Sequence, residues 1–295
     1  MSLYEYLQQS PSYFNSKFLI FLSIWFFGLG ACVGSFLNVV IWRMPRGKSV
    51  ISPPSHCPRC QHKLAWYENI PVLSWCFLRG KCKGCQLPIS VKYPLGELLT
   101  AFLYLLIWGK VILNDEPLFF AFNYLSVTFF LIAVFFIDKD HRIIPNKLTY
   151  TMMIFGLIFS AFFPQVTYIK GVETAWQGLL YSFVGLVAGG LFFGILAIIG
   201  ELIFKKEALG WGDVKYLAAV GATLGFPGIF FTVFFGSIFG SIYGGLLILS
   251  KKGTLKTFIP FGVFLVLGTL LWILAGNYIF SEYIALMESI KIKSI

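Results

Sequence analysis

Residues 118–137 read LFFAFNYLSVTFFLIAVFFI, and Asp138 follows at once. At a helical rise of about 1.5 Å per residue, such a run reaches about 30 Å, the thickness of a bilayer's hydrocarbon core. Similar stretches recur along the chain, and eight spans are read, at 18–42, 94–113, 118–137, 148–163, 176–204, 214–226, 228–250 and 258–280. Composition agrees: 58% of the 295 residues are hydrophobic and 12% are charged, whereas a soluble chain carries about a quarter charged residues. The fold expected is an all-α polytopic membrane protein of about eight transmembrane helices. The sixth span is short. It ends at Gly225-Phe226-Pro227-Gly228, a turn expected within the membrane, where neighbouring helices cover the freed backbone groups.

The net charge is +10, which taken alone would suit a nucleic-acid partner. The distribution of the charge excludes that class. Eighteen of the 23 Lys and Arg fall in four segments, 43–92, 138–147, 205–215 and 251–256, leaving Lys17, Lys110, Lys170, Lys291 and Lys293 elsewhere. Basic residues gather on the cytoplasmic side of membrane proteins, so these four loops are placed inside and both termini outside. Residues 1–16 lack the basic start of a cleavable signal, and the first apolar run reads as a retained span. Glycines four apart in the later spans (Gly185 and Gly189, Gly190 and Gly194; Gly236, Gly240 and Gly244) suit close helix packing in lipid. They do not reveal an oligomeric state.

The longest of these loops holds Cys57-Pro58-Arg59-Cys60 and Cys82-Lys83-Gly84-Cys85, separated by 21 residues. Two such knuckles can aim four sulfurs at one tetrahedral ion, as in a zinc ribbon. Disulfides and redox pairs are the alternatives, and a reducing cytosol disfavours the first. Four thiolates leave no open coordination position, so a structural rather than catalytic zinc is expected from Cys57, Cys60, Cys82 and Cys85. Cys32 and Cys76 read as unpaired, and His56 and His62 as solvated loop residues. Three regions follow: 1–42 with the first span, the cytoplasmic tetracysteine loop 43–93, and a transmembrane bundle 94–295.

Two aspartates stand at the edges of spans. Asp138 ends one apolar run, and Asp213, in Leu209-Gly210-Trp211-Gly212-Asp213-Val214-Lys215, opens another. Carboxylates at the margin of hydrocarbon are costly and by default functional. Either alone could be a helix-end residue; Asp213 suits a helix N-terminus. As a pair sharing one proton they can hydrolyse a peptide bond, the ionised member activating water and the protonated one polarising the carbonyl. A proton-relay transporter and a zinc-ribbon adaptor are the other classes. No span carries a charge near its centre, against the first, and the second leaves Gly210-x-Gly212-Asp213 unexplained.

Gly-x-Gly-Asp with a second aspartate on another span resembles the intramembrane aspartyl proteases. Three further elements resemble the type IV prepilin peptidase branch: Gly34-Ser35-Phe36-Leu37-Asn38 through Arg43-Met44-Pro45, the tetracysteine loop after it, and Ile137-Asp138 followed by Ile144-Pro145-Asn146. The resemblance runs from about Gly30 to Gly262 and implies Asp138 and Asp213 as the catalytic pair, with Asp140 the nearest competitor and Asp115 on the wrong side. It implies a bacterial inner-membrane enzyme that cleaves the basic leader of prepilins and of pilin-like type II secretion proteins, with active site and zinc loop cytoplasmic. It then implies methylation of the new N-terminal amine from S-adenosylmethionine. No Gly-rich nucleotide loop is present. Glu97 lies where the family carries a Pro-x-x-Glu element. It is read either as a ligand to the amine or methyl donor or as a helix-entry residue.

Overall fold

The computed structural model describes residues 5, 7–167, 172–205, 209–252, 254, 257 and 259–293. Lys170, Lys206 and Lys256 of the charge count and Phe258, where the last span was expected to begin, lie outside them. The described residues are helical, with no strand beyond two isolated bridges. The long helices are α1 (Ser16–Arg43), α2 (Lys92–Leu113), α3 (Leu118–His141), α4 (Asn146–Phe162), α5 (Ala175–Phe204), α6 (Trp211–Leu249) and α7 (Phe261–Lys293). Among the described residues, α1, α2, α3, α5 and α6 are long and apolar enough to cross a membrane, and Phe261–Gly276 is a shorter apolar helix. The chain divides into two compact units, Met1–Ile137 and Asp138–Ile295.

In the first unit, α1 and α2 cross where Gly30 and Gly34 bring the backbones together. A Cβ on Gly30 would lie 2.7 Å from Ala101 Cα, and one on Gly34 would lie 2.7 Å from Glu97 Cα. Such contact supplies packing in lipid, where the hydrophobic effect between helices is lost. Trp108 Nε1 donates to Ser23 Oγ at 2.9 Å and Tyr104 Oη to Leu125 O at 3.1 Å, so neither polar tip is left unsatisfied. Lys110 is buried, and Glu116 Oε2 lies 2.7 Å and Tyr124 Oη 3.0 Å from its Nζ.

In the second unit, α6 carries the decisive feature. Gly225 has φ 69° and ψ −172°, a conformation only glycine adopts readily. The hydroxyls of Tyr216 and Thr232 both reach Thr269 Oγ1, at 2.7 and 3.0 Å. In a straight helix those two residues would stand about 24 Å apart along the axis. The chain therefore reverses at Gly225, and α6 is two limbs, matching the separate sixth and seventh spans expected.

The first limb is buried all round, every side chain from Tyr216 to Leu224 included, as befits a helix enclosed by protein. Ser182 Oγ donates to its Ala222 O at 2.6 Å. A Cβ on Gly185 would run into Gly221 O, one on Gly189 would lie 2.5 Å from Leu217 O, and one on Gly156 2.6 Å from Ala222 O. The glycine pattern thus serves packing inside one chain. Gly185→Val is expected to destabilise the protein by about 1–3 kcal/mol through overpacking, read as a lowered melting temperature in detergent.

Candidate active site and metal centre

Asp138 lies in the last turns of α3, buried, and its Oδ2 accepts the Val263 backbone N–H at 3.1 Å. Val263 is in the first turn of α7, whose leading N–H groups have no partner within the helix. Asp138 therefore occupies the N-terminus of α7, which attracts negative charge. Asp213 is half-buried in the first turn of α6 and takes a hydrogen bond from the Gly210 backbone at the cap. The charge of Asp138 is felt at the Asp213 carboxyl group.

Two glycines and one side chain make this approach. A Cβ on Gly262 would lie 2.8 Å from Asp138 Oδ2 and 3.0 Å from Ile144 Cδ1, while one on Gly212 would lie 3.1 Å from Ile144 Cβ. Ile144 is thus wedged between Gly212, the neighbour of Asp213, and Gly262, which abuts the Asp138 carboxylate. Behind it, Lys215 Nζ donates to Asn146 Oδ1 at 3.0 Å, tying the Ile-Pro-Asn element to the Gly-x-Gly-Asp helix. Asp140 is exposed, outside this arrangement. Asp115 accepts from Ser12 N and Oγ, both at 2.8 Å, and fastens the N-terminal segment. Sequence reading missed the part played by Gly262 and Val263. Pro260 ahead of an apolar run marked a helix start there, but nothing local said what that start would hold.

The four cysteines come together. Their sulfurs all lie within 4.8 Å of one another, with Cys60–Cys82 at 3.8 Å and Cys57–Cys85 at 4.0 Å. Zinc–sulfur bonds of about 2.3 Å at tetrahedral angles would set sulfurs about 3.8 Å apart, so the donor set fits zinc. The knuckles repeat one geometry. Gln61 N donates to Cys57 O and Gln86 N to Cys82 O, both at 2.9 Å, and Gln61 and Gln86 have φ of 59° and 57°. Backbone N–H groups of Cys60 and Arg59 bring the Cys57 thiol down to about 6. Cys60, despite a His62 backbone bond favouring its thiolate, is pushed up to about 11 by desolvation and by the sulfurs around it. Thiolates this crowded call for a cation.

Neither histidine turns toward the sulfurs. His56 Nδ1 lies 2.9 Å from Pro54 O. His62 is not simply solvated: its Nε2 lies 3.0 Å from Glu68 Oε2. Cys32 and Cys76 are free and exposed.

Glu97 is buried at the crossing of α1 and α2, where its Oε2 accepts Val72 N at 2.7 Å. It lines a cavity of about 350 Å³ together with Asn38, Trp42, Glu68 and Trp75. Arg43, also on its wall, is buried and donates to Ser49 O at 3.2 Å and Pro53 O at 2.8 Å.

Comparison with known proteins places the chain in context. Residues 29–111 match the model of the bacterial peptidase A24 N-terminal domain, and residues 125–245 match that of the type IV leader peptidase family. A prepilin leader peptidase/N-methyltransferase of Aeromonas hydrophila is 34% identical over 90% of this chain and 94% of that protein. The Escherichia coli type 4 prepilin-like proteins leader peptide-processing enzyme is 37% identical over 81% and 88%. One from Myxococcus xanthus, named as a prepilin leader peptidase/N-methyltransferase, is 42% identical over 72% of this chain, which spans 58% of that protein's length. No solved structure matches.

Proposed function

This chain belongs to the type IV leader peptidase family, and from that premise we propose that Asp138 and Asp213 are the catalytic pair with which it removes the leader of prepilins and pilin-like proteins. The observation that carries the reading is their placement at two helix N-termini, Asp213 in the first turn of α6 and Asp138 against that of α7, with Ile144 packed on both Gly212 and Gly262. Two adjacent carboxyl groups resist double ionisation, which leaves one proton between them. Asp138, holding an α7 N–H, is oriented to act as the carboxylate that takes a proton from water. Asp213 then donates toward the scissile carbonyl. Gly210, whose Cβ would stand 3.2 Å from Asp213 Oδ2, keeps the approach to that carboxyl group free of side-chain bulk, as an extended leader requires.

Methylation of the new N-terminal amine is the second activity. S-adenosylmethionine, when bound, supplies the methyl group. The cavity beside Glu97 has the volume of a ligand pocket and is where we place it. Zinc, held by Cys57, Cys60, Cys82 and Cys85, would stabilise the loop and take no part in chemistry. The functional regions we propose are the metal loop 43–93 and the peptidase bundle 94–295. The basic loops argue that both sites face the cytoplasm, with the termini outside. An apolar pilin helix lying in the bilayer would then present its leader at the aspartates.

The test is incubation of the purified enzyme with a basic-leader prepilin and S-adenosylmethionine, with the product read by mass spectrometry. Loss of the leader and gain of a methyl group are expected; an uncut substrate would sink the reading. Gly262→Ala is expected to lower kcat for cleavage by about a hundredfold, because its methyl group displaces the Asp138 carboxylate. The comparison is made by single-turnover kinetics on enzyme of unchanged melting temperature.

A further inference from the structure

We infer that Glu97 is the general base of the methylation, its carboxylate taking a proton from the new N-terminal ammonium so that the freed amine can attack the methyl group. This rests on the reading of the cavity beside Glu97 as the methyl-donor site. An α-ammonium group has no lone pair, and with an ordinary pKa of about 8 it is mostly protonated at neutral pH. To the cavity wall α1 lends Ser35, Asn38 and Trp42 and α2 lends Tyr93 and Glu97, one face of each helix. Most of the rest comes from the tetracysteine loop. Glu97 stands about 8 Å along α2 from Lys92, within the apolar span. A pilin amine is fixed to an apolar helix in the bilayer, so it meets the cavity on this side and not within the loop. Two carboxylates line the wall. Glu68 is taken up inside the loop by Ala65 N, His62 and Lys83. Glu97 is buried and accepts Val72 N at 2.7 Å and the Ser35 hydroxyl; a carboxylate offers about four lone-pair sites, so it retains room for an ammonium N–H. Arg43, Arg59 and Lys83 are already cationic, Tyr93 is a neutral phenol and the cysteines on the wall belong to the metal, which leaves His56 as the competitor. In the step, one N–H proton passes to the Glu97 carboxylate and the nitrogen lone pair forms the new N–C bond. The electron pair of the C–S bond leaves on sulfur, giving a neutral thioether, and Glu97 returns its proton to water.

The measurement is single-turnover methylation of a cleaved pilin by the zinc-loaded full chain in detergent, from about pH 6 to about pH 9, a range that brackets the ordinary pKa of the amine. Glu97→Gln keeps a carbonyl for the Val72 N–H but cannot take a proton. Expected is a rate about a hundredfold below wild type at about pH 6. The gap should close to about threefold at about pH 9, where solvent has already removed the proton. Isothermal titration should give S-adenosylmethionine and S-adenosylhomocysteine their wild-type affinities, and leader cleavage should be unchanged. Glu97→Asp, which keeps a carboxylate, should follow the wild-type pH profile at a reduced rate. A defect of one size at every pH overturns the base assignment, and so does a loss of donor affinity of about tenfold, the mark of a ligand. If Glu97→Gln melts below wild type, the aspartate variant decides, and a rate that recovers only above about pH 8 in it overturns the assignment. A pH-dependent loss in His56→Gln in place of Glu97→Gln passes the role to His56. If wild type methylates and Glu97→Gln keeps pace at every pH, the activity stands and this inference alone falls. A wild type that neither binds the donor nor methylates overturns the methyl-donor reading itself.

Discussion

Asp138→Asn and Asp213→Asn are each expected to lower the rate of prepilin cleavage by about four orders of magnitude or more, with the double variant no worse than either single one. The reason is chemical, since a carboxamide at these positions neither takes a proton from water nor donates one to a carbonyl. It is not structural. An asparagine at 138 keeps an oxygen to accept the Val263 N–H, and one at 213 keeps an oxygen for the Gly210 backbone. Both variants should therefore insert and melt like wild type. Asp140→Asn is the discriminating control. Asp140 is two residues from Asp138 on the same helix and is exposed, so its variant should cleave near the wild-type rate. Equal loss in all three would point to a field effect of the acidic cluster on a basic leader. Normal cleavage by the 138 or 213 variant would remove that residue from the chemistry.

How far the site was legible in the sequence depends on the range of the contact concerned. The apolar runs, the two span-edge aspartates and the cysteine knuckles are local patterns, each set within a few residues. The chain reversal was half legible, because Gly225 and Pro227 announce a break but not its direction. That direction is set by Tyr216 and Thr232 sharing Thr269. What escaped sequence reading is the long-range part. Val263 reaches Asp138 across 125 positions of chain, and no local propensity encodes it. His62 was misjudged for a related reason. A lone histidine in a polar loop looks solvated until Glu68 is found beside it. The Glu68–Lys83 ion pair could not be seen at all without the fold.

Removing zinc is expected to unfold the tetracysteine loop. Among the described residues 44–91, Cys82 is the one buried hydrophobic side chain, so the loop has almost no apolar core to hold it. Its strand-like pairing amounts to two single bridges, His56–Lys63 and Lys81–Pro88, each flanking one knuckle. Structural zinc sites supply about 10–16 kcal/mol of apparent binding free energy, far more than such a loop gains otherwise. The double variant Cys57→Ser, Cys60→Ser removes half the ligands and should leave no bound zinc at micromolar metal. Limited proteolysis should then cut within 43–93 at least about tenfold faster, since cleavage follows the population of the open form. The helices outside the loop should stay protected, because their contacts do not pass through the sulfurs. Methylation should fall with the loop, whose residues Glu68 and Trp75 wall the cavity. Leader cleavage should suffer less, because Asp138, Asp213 and the α7 N-terminus belong to the other compact unit. Chelation of wild type should reproduce the digestion pattern, and added zinc should reverse it. A metal-free loop as protected as the loaded one would mean that zinc is not what folds it.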